Sequence, residues 1–152
     1  MTVTGIRELL RRLARTSPRR QVVAAVPVRP RAAGGLEFLL VRTSDGARWT
    51  FPKGGRERGE TLAEAAAREA IEEAGAAGRV GDEPVAAYRY RDDTVVAFLL
   101  TVGDMTSPAE PERNPTWFGF EAARSKLAEG HGGAFGAEME RVLLAAVRAA
   151  VR

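Results

Sequence analysis

Three glutamates within five residues carry the strongest chemical signal in this 152-residue chain. Glu69, Glu72 and Glu73 stand at i, i+3 and i+4, so in a helix turning about 100° per residue they fall within one arc. Like charges at that spacing destabilise a bare helix by about a few tenths of a kcal/mol per pair. A divalent cation reverses that sign, because a hard ion such as Mg²⁺ takes carboxylate and backbone carbonyl oxygens, keeps several waters and engages a phosphate. Ala63, Ala67, Ala70 and Ala74 share the other side with Ile71 at its edge, so this small face is expected to pack on a sheet while the acidic face looks outward. Arg68, one turn from both Glu64 and Glu72, is expected to bridge them and fix their rotamers. The charge pattern alone also fits an ordinary solvated helix face.

The approach to the helix argues for a site. In Trp49-Thr50-Phe51-Pro52-Lys53-Gly54-Gly55-Arg56-Glu57-Arg58-Gly59-Glu60, glycines let backbone come close to a ligand, and Lys53, Arg56 and Arg58 can face anionic oxygens around a metal held by the helix. Thr61 and Glu64 predict a capping box at the helix start, and Gly75 a left-handed stop.

Around this unit the chain alternates strands and helices. Ile6, Leu9, Leu10 and Leu13 form an apolar stripe that predicts a short amphipathic helix over residues 5–15, ended by Ser17-Pro18. Gln21 to Val28 and Leu36 to Arg42 read as strands whose continuous apolar runs suggest that both faces are covered. Trp49 to Phe51 is a short extended piece, Gly54 to Gly59 a glycine-punctuated stretch, and Ser107 to Pro115 a loop. Val85 to Tyr90 and Thr94 to Val102 predict antiparallel strands joined at Arg91-Asp92-Asp93, and Thr116 to Phe120 a last strand. Glu121 to Glu129 and Ala137 to Val151 read as helices separated by the glycine-rich residues 130–136. This order argues for the α/β class, with a mixed sheet between helical layers. A basic arm over residues 1–20 and one domain over residues 21–152 are expected.

Composition narrows the chemistry. There are no cysteines, which excludes a disulfide framework, thiolate-bound zinc and a cysteine nucleophile, so any metal is expected on oxygens. Residues 1–31 hold eight arginines against the single acid Glu8, while the rest of the chain is net acidic. That beginning is read as a solvated helix face ahead of a nucleic-acid arm or an organellar transit peptide. No apolar run approaches the roughly 18–20 residues of a spanning helix, so a cytoplasmic protein with no membrane partner is expected.

Gly54, five residues, Glu60, seven residues, then Arg68-Glu69-Ala70-Ile71-Glu72-Glu73-Ala74-Gly75-Ala76 resembles the box of the Nudix, or MutT-like, hydrolases, G-x5-E-x7-R-E-U-x-E-E-x-G-U, where U is a bulky aliphatic residue. Every polar and glycine position matches, and both U positions are alanine. The resemblance implies a Nudix-type α/β/α sandwich with a mixed β-sheet between helices, and hydrolysis of a phosphoanhydride bond with Mg²⁺ or Mn²⁺. It also implies that Glu69 and Glu73 are the main metal ligands, that Glu72 is a ligand or proton acceptor, and that Gly54 lends its carbonyl. Glu60 would be a supporting carboxylate and Arg68 the orienter of the glutamates. In this family the final base is often an acid outside the box, and Asp92, Asp93, Glu110 and Glu112 are candidates that also fit ordinary loop acids.

The stretch Trp49 to Gly54 resembles the same region of enzymes that hydrolyse diadenosine and diphosphoinositol polyphosphates, although similar stretches occur in nucleoside-triphosphate members. The expected substrate is therefore a small nucleotide or polyphosphate. The alternatives are a (deoxy)nucleoside triphosphate pyrophosphohydrolase and a non-catalytic ligand-binding regulator, and the chain is expected to be a monomer or homodimer. Lys53, Arg42, Arg48 and Arg56 are candidate substrate contacts, with Arg89 and Arg91 extending a basic rim. Tyr88 and Tyr90 fit either base stacking or strand packing, with Tyr90 retained as the substrate candidate. Trp117 and Phe118 read as core, and His131 is given no role.

Overall fold

The computed structural model describes residues 4–8 and 21–152. Residues 4–8 are helical, Ile6 is buried, and Arg7 pairs with Glu83 at 2.7 Å. Leu9, Leu10, Leu13 and the Ser17-Pro18 stop lie outside the described residues.

Eight strands form one mixed sheet: β1 (Val22–Pro30), β2 (Leu36–Arg42), β3 (Trp49–Thr50), β4 (Lys53–Gly55), β5 (Ala76–Val80), β6 (Ala86–Tyr90), β7 (Asp93–Met105) and β8 (Thr116–Gly119). Its main path runs β3-β2-β1-β7-β5. β4 joins β1, β6 joins β7 and β8 joins β2. Among the described residues only the central β1–β7 pair is parallel, and the other ladders are antiparallel.

The apolar runs of the central strands are explained by two covered faces. Val22, Ala24, Val26 and Val28 of β1 and Val95, Ala97 and Leu99 of β7 point to one layer, which α2 (Phe120–Ala128) and α3 (Gly133–Ala150) close. Val23, Ala25, Val96, Phe98 and Leu100 point to the opposite layer, where α1 (Leu62–Ala74) packs through Ala65, Ala66, Ala70 and Ala74. These short side chains let α1 lie close to the sheet. The result is the α/β/α sandwich expected.

Three elements differ from the sequence expectation. Gly54 and Gly55, which open the glycine-punctuated stretch, belong with Lys53 to strand β4, and β5 follows α1 after Gly75 although Ala76-Ala77-Gly78-Arg79-Val80 shows no alternation. α3 begins at Gly133, within the glycine-rich segment expected to separate two helices, because Phe135 packs on the core beneath it.

Candidate active site

The ends of α1 are fixed as its sequence suggests. Glu64 N–H donates to Thr61 Oγ1 and Thr61 N–H to Glu64 Oε1, each at 3.1 Å, closing a capping box. Gly75 ends the helix at φ 67°, and a Cβ there would strike the Thr106 carbonyl.

β4 carries the approach loop across α1. Lys53, Gly54 and Gly55 pair with Ala24, Val23 and Val22, so the loop is tied to the middle of the sheet. A Cβ on Gly54 would run into the Glu69 carboxylate, so glycine lets that carboxylate lie against the β4 backbone. Glu69 and Glu73 are consequently 8% and 4% exposed, whereas Glu72 stays at the outer edge. This corrects the outward-facing acidic arc: Glu69 and Glu73 share the buried face with Ala65, Ala66, Ala70 and Ala74. Ile71, expected at the packed edge, is exposed.

Arg68 organises the outer half of the site. Its Nε and one terminal nitrogen grip both oxygens of Glu60 at 2.8 and 3.0 Å. Further donations go to Glu69 at 2.9 Å, Glu72 at 3.3 Å and the Gly55 carbonyl at 2.9 Å. Glu60 also accepts from Glu57 N–H at 2.8 Å, and its carboxyl lies below the ordinary range chiefly because Arg68 donates to it. The expected Arg68–Glu64 bridge gives way to this pairing, since Glu64 serves the helix cap.

Glu73 occupies the inner half. Lys53 N–H donates to Oε1 at 3.1 Å, and Arg113 stands 3.6 Å from Oε2. Burial pushes its carboxyl up to about 7, with Arg113 and the Lys53 N–H opposing and the charges of Glu69 and Glu110 adding to the rise. Glu73 lines a cavity of about 210 Å³ whose cationic wall is Lys53, Arg91 and Arg113. Burial holds the Lys53 ammonium below its usual range, and Nζ lies 4.3 Å from the Tyr90 ring centroid.

Other expected contacts lie elsewhere. Arg42 stacks on Trp49 at 4.2 Å, Arg48 donates to the Gly130 carbonyl at 2.8 Å, and Arg56 joins Gln21 to the Glu60 carbonyl. None of these three lines the cavity. Arg58 and Arg89 are exposed. Tyr88 is core, 3% exposed, while Tyr90 lines the cavity and meets His131 and Phe135 through its ring. Trp117 and Phe118 pack against the two cores. Asp92 and Asp93 are exposed at the β6–β7 turn, and Glu112 lines a neighbouring recess. Glu110 is the acid brought toward Glu73, because its N–H donates to the Glu72 carbonyl at 3.2 Å and its carboxylate takes Arg113. Sequence reading missed Arg113, as well as Thr43, Ser44, Asp45 and Thr50 on the cavity wall. The one signal for Arg113 was its place three residues after Glu110 across Pro111.

Among the described residues no three acidic or imidazole side chains are already gathered to hold a metal. Arg68 and Arg113 hold the carboxylates instead. The donor set nonetheless fits a hard divalent cation: two buried carboxylates one helical turn apart, a third at the rim, and a glycine backbone against the first.

The NUDIX domain matches residues 18–135. Nudix hydrolase 4 of Arabidopsis thaliana is 34% identical over 120 residues, covering 69% of this chain and 58% of that protein. Nudix hydrolase 18, mitochondrial, of the same plant is 41% identical over 68 residues, 41% of this chain and 39% of that protein. The chain thus spans under two thirds of the length of these curated relatives. The structure of a C. elegans Ap4A hydrolase binary complex superposes with a TM-score of 0.66 at 25% identity, covering 88% of this chain and 98% of that one. With the polar and glycine positions of the box in place, the sandwich formed around it and the NUDIX domain matched over residues 18–135, the chain belongs to the Nudix family.

Proposed function

We propose that this chain hydrolyses a phosphoanhydride bond in a nucleoside diphosphate-linked, dinucleoside polyphosphate-like substrate or in a diphosphoinositol substrate, with Mg²⁺ or Mn²⁺. The observation that carries the reading is the buried Glu69–Glu73 pair beside Gly54, with Glu73 facing a cavity walled by Lys53, Arg91 and Arg113. Likeness to a protein titled as an Ap4A hydrolase supports the substrate class.

Glu69, Glu73, Glu72 and the Gly54 carbonyl would hold the cation. When bound, it supplies neutralisation of the diphosphate and orientation of the attacking water. Arg68 fixes Glu69 and Glu72 from the outer side while Glu60 fixes Arg68. Lys53, Arg91 and Arg113 offer three positive charges to a polyphosphate, and Tyr90 forms the apolar wall beside them. Water adds to phosphorus, the bridging oxygen leaves with one phosphate, and a nearby carboxylate takes the proton. Glu110 is the acid outside the box best placed for that last role.

Phosphate release from dinucleoside polyphosphates, nucleoside triphosphates and inositol pyrophosphates, with and without Mg²⁺, tests the reading. Metal-dependent turnover of a dinucleoside or inositol substrate is expected, and Glu73→Gln should lower it by about two orders of magnitude or more. Preference for nucleoside triphosphates would reassign the substrate. Binding without turnover across the panel would overturn the enzyme.

A further inference from the structure

The loop between β7 and β8 delivers a cation to the buried glutamate. Pro111–Arg113 forms a single 3₁₀ turn with Pro111 at its start, Asn114 closes it at φ 48°, and Asn114 N–H donates to the Pro111 carbonyl at 3.1 Å. The turn is seated on α1 by the Glu110 N–H bond to Glu72 O. Its product is a fixed guanidinium. Arg113 is 16% exposed in its side chain, donates to Glu110 Oε1 at 3.2 Å and to the Arg42 carbonyl at 3.4 Å, and faces Glu73 Oε2 at 3.6 Å.

Glu73 Oε1 accepts the Lys53 N–H and Oε2 faces Arg113 at 3.6 Å, so the guanidinium flanks the oxygen left without a hydrogen-bond donor among the described residues. A guanidinium at that distance repels a divalent ion approaching Oε2 and offsets part of the carboxylate's charge. Arg113 also lines both the cavity shared with Lys53 and Arg91 and the neighbouring recess holding Glu110 and Glu112. The side chain therefore has somewhere to go when it leaves Glu73.

We infer that Arg113 is the resident counter-ion of Glu73, a positioning residue that holds this carboxylate in place of a divalent cation and thereby sets the site's cation affinity. The inference rests on the metal-site reading proposed above. Arg113 returned to Glu110 and the cavity faces incoming phosphate, which makes cation and polyphosphate binding mutually supportive.

The test is calorimetric titration of the full chain with Mg²⁺ alone at about pH 9, together with thermal unfolding in the absence and presence of Mg²⁺. Arg113→Met keeps the aliphatic stem and removes the charge. It should tighten Mg²⁺ binding about tenfold and lower the melting temperature of the metal-free protein, with most of that loss recovered in saturating Mg²⁺. Arg113→Lys keeps a charge without the fork, so its affinity should fall between the two and its metal-free stability near wild type. Unchanged or weaker Mg²⁺ binding by Arg113→Met would overturn the inference, as would a lysine variant that binds as tightly as the methionine one. If the methionine variant does not fold, the lysine variant alone decides, since affinity equal to or weaker than wild type contradicts competition at Glu73. Absence of Mg²⁺ binding in the wild-type chain would instead remove the metal site itself.

Discussion

Gly54→Ala perturbs the site while leaving every charge in place. Its backbone lies outside the left-handed region, so alanine is opposed by the Glu69 side chain and not by its own dihedrals. The new Cβ would land on the Glu69 carboxylate, whose displacement would disturb the 2.9 Å bond from Arg68. Forcing a packed group aside costs about 1–3 kcal/mol, and losing a charged hydrogen bond about 1.5–3 kcal/mol. Alanine returns only about 0.4–1 kcal/mol through the unfolded chain. A net loss of about 2–4 kcal/mol is expected, or a fall of roughly 5–15 °C in melting temperature for a domain of this size. Urea unfolding of the single variants and of Gly54→Ala/Glu69→Ala completes a double-mutant cycle. With the carboxylate gone, the alanine should cost less than about 1 kcal/mol, a coupling that identifies contact as the cause. An equal penalty in both backgrounds, or none in the single variant, would refute the close approach of β4 and α1.

Two further outcomes follow from the carboxylates. Glu73 is raised from 4.5 to about 7, so between those values the folded chain keeps a proton that the unfolded chain has lost. Its contribution to stability is full below pH 4.5 and declines as pH rises to 7, by about 3 kcal/mol. Unfolding of metal-free wild type and Glu73→Gln at pH values on either side of that window should show this decline only in the wild type, and parallel curves would count against a buried, weakly paired Glu73. Arg68→Lys loses the two-oxygen grip on Glu60 while keeping charge, and should reduce Mg²⁺ affinity or kcat/KM by about 10–100-fold with the fold retained. A lysine variant with wild-type values in both measurements would reduce Arg68 to a surface partner.

The parts of the site legible in sequence are those decided locally. Thr61, Glu64 and Gly75 bound α1 because capping groups act within one turn of the residues they serve. The covered central strands were readable for a similar reason, since an unbroken apolar run leaves no face for water. What escaped reading depends on partners distant in the chain. Lys53-Gly54-Gly55 has no strand propensity, and it is a strand because its backbone meets β1 at Val22, Val23 and Ala24. Ala76–Val80 holds its place because β7, at thirteen residues, offers a ladder along its far half. Arg42 and Arg48 have the charge for a phosphate rim, but Trp49 and Gly130 claim them first.

The orientation of the glutamates shows why this division matters for function. A helical wheel groups Glu69 and Glu73 correctly but cannot say which arc is covered, because their roof is β4 and the Arg113 turn, neither of them part of the helix. Burying two carboxylates against a glycine strand runs against stability, since desolvation costs more than one backbone N–H and a guanidinium without a hydrogen bond restore to Glu73. Substituting glutamine would relieve that cost while keeping the acceptor for Lys53. The fold keeps the acid and aims it into a cavity with three cations, an arrangement that costs stability at Glu73 and that the proposed binding of a divalent ion with a polyphosphate would turn favourable.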